Sequence, residues 1–269
     1  GGDTTTEPAD TDTEAEDTDT EAEDTDTETE AEDTDTETTA PTTESGGGTE
    51  ITPDTVIKQT AGGEDIWDTI DKGHYYYTEH SGDFDVSVKV HVDSPDQYSK
   101  GGIMVRPAPK NPESATVYLR RLPTGYTVLQ WRPEEGSEAG SLTSDLGEGV
   151  IDTEGGGLLS PTWPWMRLKR EGGTFTAYVS PDGEDWTMLA DITTDENVTM
   201  PEDTLLGLAA TAHNKAETRT VYYTGLEGFT PDTAEDLGAP IMPGGIELLD
   251  EWPSDLNTAT PMGEDTPTE

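Results

Sequence analysis

A strict alternation between apolar and polar side chains runs from Phe84 to Val92. Every even-numbered position of this run is apolar, and every odd-numbered position is polar. Because successive side chains of a β-strand point to opposite faces, the run predicts a strand with one buried and one solvated face. Shorter alternating runs recur from about Ile51 to Phe229, and none of them has a convincing helical period. The sequence therefore predicts an all-β fold, an antiparallel β-sandwich.

Turn signals divide this region into strands. A Gly-Gly pair separates the alternating runs 165–170 and 174–179, which predicts a hairpin. A Pro-Asp-Gly sequence at 181–183 predicts a turn before a further strand. The remaining strands are expected near residues 64–70, 73–79, 100–106, 114–122, 126–132, 185–192, 204–212 and 219–229. Residues 50–230 together predict one domain with a single core.

Two acidic segments flank this domain. Residues 1–49 consist of near-repeats of Thr-Asp-Thr-Glu-Ala-Glu-Asp and contain no aromatic residue and no Leu, Ile or Val. Such a segment cannot bury apolar surface to offset the entropy of ordering, so a disordered, extended stalk is expected. Its Thr density suits O-glycosylation, and a plain acidic linker is the alternative. Residues 231–269, rich in Pro, Thr and acidic residues, are expected to form a tail. Its more apolar segment 246–252 either docks elsewhere or is a short recognition segment.

The charge balance limits the classes of partner. The chain has 59 acidic and 14 basic residues and a formal net charge of −45. Without the nineteen acidic residues of segment 1–49, which has no Lys or Arg, the remainder carries −26. Concentrated salt screens such self-repulsion, so a halophilic protein is expected, with an ordinary acidic protein as the alternative. Nucleic acid is excluded as a partner, because phosphate binding needs clustered Lys and Arg.

The start of the chain and one sequon favour a location outside the cell, whereas the absence of cysteine does not decide the compartment. No apolar run approaches the roughly 20 residues that span a bilayer, and the chain has no cysteine for disulfides or thiolate metal sites. The Gly1-Gly2 start before a polar stalk is typical of a mature surface protein, so the expected membrane link is a lipid anchor at the N-terminus. Asn197 lies in a sequon for N-glycosylation. We therefore expect an extracellular, cell-surface protein.

Seven short stretches occur in an order known from one family. They are Gly-Glu-Asp-Ile-Trp (63–67), a Tyr-Tyr pair before Ser-Gly-Asp-Phe (76–84), Lys-Gly-Gly-Ile-Met-Val-Arg (100–106), Trp-Met-Arg-Leu-Lys-Arg (165–170), Gly-Thr-Phe-Thr-Ala-Tyr (173–178), Ser-Pro-Asp-Gly-Glu-Asp-Trp (180–186) and Leu-Gly-Leu-Ala-Ala-Thr-Ala-His-Asn (206–214). The series resembles the concanavalin-A-like lectin/glucanase modules of the "regulation of enolase" type, over about residues 62–229. The resemblance implies a jelly-roll sandwich that binds glycans or surfaces, because such modules are appended to secreted glycosidases and large surface proteins. The sequence lacks the Glu-x-Asp-x-x-Glu spacing of the catalytic glucanases with this fold, so we do not expect an enzyme.

Aromatic side chains are the first candidates for a glycan site, because sugar rings stack on aromatic faces beside a few fixed polar groups. Some aromatic residues lie next to polar residues or in expected loops and should be exposed. These are Trp67, Tyr75, Trp131 and Trp163. By contrast, Trp165 and Trp186 lie inside the family stretches and are expected to fill the core.

Polar candidates come from the predicted strands and one loop. Arg106 and Arg120 lie on strands of a chain poor in bases, where each either pairs with a carboxylate or binds an acidic sugar. His74, His213 and Asn214 complete the candidates, and a purely structural histidine is the alternative for His213. No cofactor is expected, since the His residues share no metal-like spacing and no EF-hand loop occurs. Calcium stays compatible with the many oxygen ligands.

These observations predict a non-catalytic module that binds carbohydrate, displayed on an acidic stalk at the surface of a cell in high salt. Its expected partner is a glycan or another cell-surface component. Two alternatives stay open. One is a structural or adhesive envelope protein that acts through self-association or protein contacts. The other is a glycoside hydrolase, which would need two carboxylates lining a groove.

Overall fold

The computed structural model describes Gly1 and residues 50–141, 151–152, 157–159 and 162–258. The chain divides into two compact units, with the boundary between Gly47 and Gly48. The expected stalk lies outside the described residues apart from Gly1, so its disorder stays a prediction. Among the residues described, no helix is long and apolar enough to cross a bilayer.

The described part of the second unit consists of β-strands joined by turns. In chain order the strands are β1 (Val56–Gly63), β2 (Ile66–Trp67), β3 (Ile70–Asp71), β4 (Gly73–Ser81), β5 (Phe84–Asp93), β6 (Lys100–Arg106), β7 (Thr116–Arg121), β8 (Tyr126–Arg132), β9 (Gly140–Ser141), β10 (Ile151–Asp152), β11 (Gly157–Leu159), β12 (Trp165–Glu171), β13 (Thr174–Ser180), β14 (Thr187–Thr193), β15 (Asp203–Thr211), β16 (Asn214–Glu227), β17 (Thr233–Leu237) and β18 (Gly245–Leu249). A short 3₁₀ helix, Ser254–Thr258, follows the last strand.

Two antiparallel sheets form a sandwich. The seven-stranded sheet has the strand order β14-β13-β12-β5-β16-β1-β18. The nine-stranded sheet has the order β10-β11-β8-β7-β6-β15-β4-β17, and β9 pairs with β8 beside this path. Strands β2 and β3 form a separate small hairpin. This architecture confirms the predicted all-β, antiparallel sandwich.

The main core lies between the inner faces of the two sheets. In β5 the even-numbered residues are buried and the odd-numbered ones are partly or fully exposed, as predicted. Strands β12 and β13 pair antiparallel down to Glu171 opposite Thr174, which confirms the predicted hairpin. Ile103, Leu119 and Leu208 of the nine-stranded sheet belong to the same buried cluster. Each such side chain contributes about 1.5–3 kcal/mol of hydrophobic stabilisation, and this burial holds the sheets together.

The outer face of the nine-stranded sheet is buried as well. Tyr75, Met104 and Tyr118 point to this face and pack around Ile66 of the hairpin β2–β3. The prediction of a single strand at 64–70 is therefore wrong, because this segment folds back into the hairpin β2–β3 and packs on the sheet. The Tyr118 hydroxyl donates to the Ala209 carbonyl at 2.9 Å, so a polar group buried here is satisfied.

Strands outside the predicted set complete both sheets. Strand β1 pairs with β16 and β18, and its pattern escapes sequence analysis because the polar Gln59 is buried on the same face as Ile57 and Ala61. The Gln59 amide nitrogen donates to His74 Nδ1 and to the Leu208 carbonyl, whereas its Oε1 has no partner among the described residues. Strand β17 pairs with β4, and β18 pairs with β1. The region interpreted as a tail thus adds one strand to each sheet, and the predicted boundary at residue 230 precedes both.

Candidate functional site

Three neighbouring strands of the nine-stranded sheet place polar side chains on its covered outer face. These side chains belong to Lys100 of β6, Arg120 of β7 and Gln130 of β8, whose exposed fractions are 4 %, 9 % and 0 %. Arg120 lies opposite Gly102, and Gln130 lies opposite Tyr118, so strand parity sends all three side chains to the same face. Long polar side chains are rarely buried without partners, so their hydrogen bonds decide what this face can do.

One backbone carbonyl of the covering hairpin ties the three side chains together. Arg120 Nε donates to Gln130 Oε1 at 2.8 Å, and Gln130 Nε2 donates to the Ile66 carbonyl at 2.9 Å. Lys100 Nζ approaches the same carbonyl at 3.4 Å. Gln130 thus fixes the position of Arg120, and the Ile66 carbonyl fixes the position of Gln130. The same hydrogen bonds attach the hairpin to the sheet.

Lys100 also has a charged partner and an aromatic neighbour. Its Nζ lies 2.5 Å from Asp65 Oδ1 and 5.8 Å from the centre of the Trp67 ring. Burial lowers the pKa of Lys100 to about 8, because the attraction of Asp65 only partly offsets desolvation and the nearby Arg120 adds repulsion. Trp67 is half-buried, so part of this residue remains accessible.

Arg120 has fewer partners than its burial would require. Its guanidinium carbon lies 5.8 Å from the centre of the Tyr126 ring, and its Nη1 has no hydrogen-bond partner among the described residues. In the same part of the chain no carboxylate lies within 4.0 Å of this guanidinium. Burial lowers the pKa of Arg120, although the nearby Asp65 opposes that effect. An unneutralised buried charge costs several kcal/mol.

His213 lies at the edge of this arrangement. Its Nδ1 is 3.2 Å from Asp96 Oδ2, and its Nε2 is 3.9 Å from Asp65 Oδ2, so two carboxylates flank one imidazole. The ring also lies 5.1 Å from that of the exposed Tyr98. His213 adopts a φ of 53°, which turns the chain between β15 and β16. We call Asp65, Trp67, Lys100, Arg120, Gln130 and His213 the Lys100 site.

The structure brings three of the predicted site residues to this place: Trp67, Arg120 and His213. Asn214 follows His213 in the chain, but its Oδ1 accepts a hydrogen bond from the Ala216 N–H at 2.8 Å and shapes the turn. Sequence analysis missed Lys100, Gln130 and Asp65. A signal for Lys100 existed, since it shares strand parity with Arg106 six residues further along β6.

Two predicted residues serve the fold. Tyr75 was expected to be exposed, but it is fully buried, and its hydroxyl donates to the Met104 and Leu205 carbonyls at 2.9 and 2.8 Å. Arg106 is also fully buried and pairs with Asp71 at 2.9 Å. Of the two roles expected for Arg106, the structure therefore shows the pairing with a carboxylate.

The other predicted aromatic residues lie away from the Lys100 site. Trp131 and Trp163 are partly buried and pack against the main core. The Oδ1 of Asn197, the predicted glycosylation site, accepts a hydrogen bond from the Thr193 N–H at 2.9 Å in the turn after β14. Its modification stays a prediction.

Trp165 and Trp186 were expected in the core, and this expectation is wrong. Both are half-buried on the outer face of the seven-stranded sheet, because Trp165 shares strand parity with the partly exposed Arg167. Arg167 lies 5.8 Å from the Trp186 ring centre and donates through Nε to Asp85 Oδ1 at 2.6 Å. A shallow groove of about 400 Å³ opens here, lined by Asp85, Ser87, Arg167, Gly183, Trp186, Glu227 and Gly228.

His74, another predicted site residue, is buried and bonded within the fold. The Gln59 amide donates to its Nδ1 at 3.0 Å, so the neutral ring carries its proton on Nε2. Burial holds the pKa of His74 below its ordinary value of 6.5, although Asp236 opposes the shift. Protonation of Nδ1 would place two donors face to face.

Acid is expected to destabilise the protein partly through His74. Since the folded-state pKa is below the unfolded value, the unfolded chain binds more protons below pH 6.5, and stability is lost as the pH falls through that value. The slope from this single group is at most about 1.4 kcal/mol per pH unit. Urea unfolding at a series of pH values should show a shallower acid slope for His74→Gln than for the native protein. Equal slopes would contradict the assignment.

No three His, Asp or Glu side chains are grouped closely enough to hold a metal ion within the described ranges. Calcium, compatible with the composition, therefore has no assigned ligands in this part of the chain. The Lys100 site itself offers donors rather than ligands for a cation, because Lys100, Arg120 and the Gln130 amide all present N–H groups.

The solved structures that this chain is similar to are distant from it in sequence. No protein-family model matches the sequence, and no curated protein matches it. Among solved structures, it is similar to a functionally unknown protein from Saccharomyces cerevisiae, with a TM-score of 0.47 and 15 % identity over 68 % of this chain and 92 % of that one. It is also similar to the carbohydrate binding module CBM66 from Bacillus subtilis, with a TM-score of 0.38 and 11 % identity over 64 % of this chain and 95 % of that one.

A third similarity is to the GH43 BlXynB protein from Bacillus licheniformis, with a TM-score of 0.40 and 10 % identity over 68 % of this chain. The match covers 33 % of that protein, so the chain spans about a third of its length. At these identities the likeness concerns the arrangement of strands alone.

Proposed function

We propose that this domain is a glycan-binding module without catalytic activity and that its ligand binds at the Lys100 site. The observation that carries the proposal is the half-buried Trp67 ring beside Lys100, with the buried donor Arg120 on the same face of the sheet. Sugar-binding sites combine these two elements, since an aromatic face stacks on the apolar side of a pyranose while a few fixed polar groups select its hydroxyls. The resemblance to "regulation of enolase" modules is compatible with this role.

The donors of the site are held in place before any ligand arrives. The Arg120 side chain is fixed by Gln130, and Gln130 is fixed by the Ile66 carbonyl. Because immobilising a flexible side chain costs about 0.5–1.5 kcal/mol on binding, a prearranged donor contributes more of its interaction to affinity. This arrangement favours a binding site over an accidental polar contact.

We infer that the site does not hydrolyse the glycan. Hydrolysis needs one carboxyl group as acid and another as base or nucleophile, about 5–10 Å apart across the bond. Asp65 already accepts from Lys100 and from the Ile66 N–H at 2.7 Å. The carboxylate of Asp96 contacts His213 instead, with Oδ2 lying 3.2 Å from Nδ1. Incubation with a bound oligosaccharide should therefore release no reducing ends, and measurable release would favour an enzyme.

Trp67→Ala is expected to weaken glycan binding by at least about tenfold, because stacking contributes about 0.5–1.5 kcal/mol beyond the area buried. The measurement is a glycan array on the full chain in molar NaCl, with and without calcium, followed by titration of each hit. Trp186→Ala is the matched control, since it removes a half-buried Trp from the other sheet. Affinity should be retained in this control.

Two outcomes would overturn the proposed site or function. Equal losses in both Trp variants would mean that the ligand does not contact Trp67 specifically. Absence of binding under all conditions, together with a light-scattering mass well above the monomer, would favour the structural or adhesive alternative.

We further propose that the domain works at the outer surface of a cell in concentrated salt, where the acidic stalk displays it. The support is the net charge of −26 that remains without segment 1–49, because screening over about 3 Å in molar salt relieves the self-repulsion of such a fold. Protease treatment of intact cells should release the domain, and complete protection would contradict surface display.

A further inference from the structure

We propose that the ligand of the Lys100 site carries a carboxylate, as uronic-acid sugars do, and that this carboxylate binds the Arg120 guanidinium beside Lys100. The proposal rests on the glycan-binding function above and narrows its ligand class. It starts from Arg120, a buried cation that has no carboxylate within 4.0 Å among the described residues.

Arg120 differs from the other buried arginines of the described residues. Each of the others donates at least two hydrogen bonds to carboxylate, carbonyl or hydroxyl oxygens; they are Arg106, Arg121, Arg132 and Arg170. Arg120 donates from Nε to Gln130 Oε1, and its Nη1 has no partner in the part of the chain described. A chain with four times as many acidic as basic residues does not lack carboxylates for pairing. Among the buried arginines of the described residues, this gap therefore occurs at Arg120 of the Lys100 site.

The buried part of the site is positively charged although the domain is acidic, and the carboxylate of Asp96 lies at its edge beside His213. Lys100 and Arg120 bring two positive charges, which the single negative charge of Asp65 balances only in part. Further along the same face of the sheet, the fully buried Arg106 and Arg132 share the one carboxylate of Asp71, which leaves a second excess positive charge. Buried charges are screened far less than exposed ones. An anion therefore gains free energy here although the surface around it is acidic.

A carboxylate fits these donors better than a neutral hydroxyl. It is planar and accepts two parallel hydrogen bonds, which matches the fork of a guanidinium. The buried, unpartnered Nη1 of Arg120 would supply one edge of that fork, and the Lys100 ammonium would add a nearby point charge. The sugar ring that bears the carboxylate would then lie toward Trp67, the aromatic residue next to Lys100.

The test compares acidic oligosaccharides with their carboxyl-reduced forms, which keep the linkage and lose the charge. Oligomers of glucuronate, galacturonate, mannuronate and guluronate are titrated by calorimetry into the full chain in molar NaCl. We expect at least one acidic oligomer to bind about tenfold to hundredfold more tightly than its reduced form, the range of one or two charge-assisted hydrogen bonds. In Arg120→Gln this ratio should fall to about one. Arg167→Gln, which alters an arginine on the other sheet, should keep the full ratio.

The outcomes separate the two proposals. If the reduced oligomers bind as tightly as the acidic ones, the carboxylate proposal is wrong and the glycan-binding function stands. If neither class binds, nor any glycan of the array, the function itself fails. The unfolding midpoint supplies a second readout: removing an unneutralised cation should leave the midpoint of Arg120→Gln unchanged or raise it. A large drop with an intact binding ratio would make Arg120 a structural residue.

Discussion

An Asp71→Asn variant is expected to lose about 3–5 kcal/mol of unfolding free energy, the typical cost of breaking a buried ion pair by removing one partner. Asp71 Oδ2 accepts from Arg106 at 2.9 Å, and its Oδ1 accepts from Arg132 at 2.6 Å. All three side chains are fully buried. Neutralising this carboxylate therefore leaves two guanidinium groups without a counter-ion between the covering hairpin and the nine-stranded sheet.

Asp68→Asn provides the control for this variant. Asp68 lies three residues earlier in the same hairpin, and its side chain is exposed. Its φ of 46° suits Asn as well as Asp. The change should alter the unfolding free energy by no more than about 0.5 kcal/mol. Chemical unfolding in molar salt measures both variants, and a comparable loss in the two would show that the buried triad contributes little.

Gly63→Ala is expected to cause the second large loss of stability. Gly63 has a φ of 100°, and a Cβ at this position would lie 2.2 Å from the Lys72 carbonyl oxygen. The unfavourable φ costs about 1–3 kcal/mol, and forcing a methyl group against fixed backbone costs about 1–3 kcal/mol more. Because Gly63 joins β1 to the segment that carries Asp65 and Trp67, the variant should also lose affinity for the glycan.

Gly82→Ala separates these two costs. Gly82 has a φ of 80°, but no atom lies within 4 Å of a Cβ built there. This variant should show the cost of the φ angle alone, about 1–2 kcal/mol, and unchanged glycan binding. Unfolding curves of the two variants, recorded side by side, give the cost of the overlap as their difference. Equal losses would mean that the backbone near Lys72 relaxes freely.

The fold was predictable from sequence wherever one face of a strand is buried and the other solvated. Strand β5 and the hairpin β12–β13 have this pattern, so their period is visible in the residues. Strand β18 is five residues long and follows a Pro- and Gly-rich stretch, so its assignment depends on pairing with β1. Pairing between segments almost two hundred residues apart leaves no local signal.

The site was only partly predictable for a related reason. Parity places Lys100, Gly102 and Arg106 on one side of β6, but it does not tell which of two buried faces that side belongs to. The answer depends on the hairpin β2–β3, whose two-residue strands have no period to detect. For Trp165 the opposite holds, because its parity with Arg167 and Lys169 was a usable sign of an outward-facing ring.

The pairing of the first and last strands has a mechanical consequence. Val56 at the start of β1 lies opposite Leu249 at the end of β18, and the two strands run antiparallel at one edge of the seven-stranded sheet. A pulling force that enters just before Val56 and leaves just after Leu249 therefore acts on a single rung of the ladder, and the hydrogen bonds of this edge bear the load one after another rather than together. Under tension, β18 should peel from the sheet first. The chain then lengthens at this edge while the two sheets stay packed against each other.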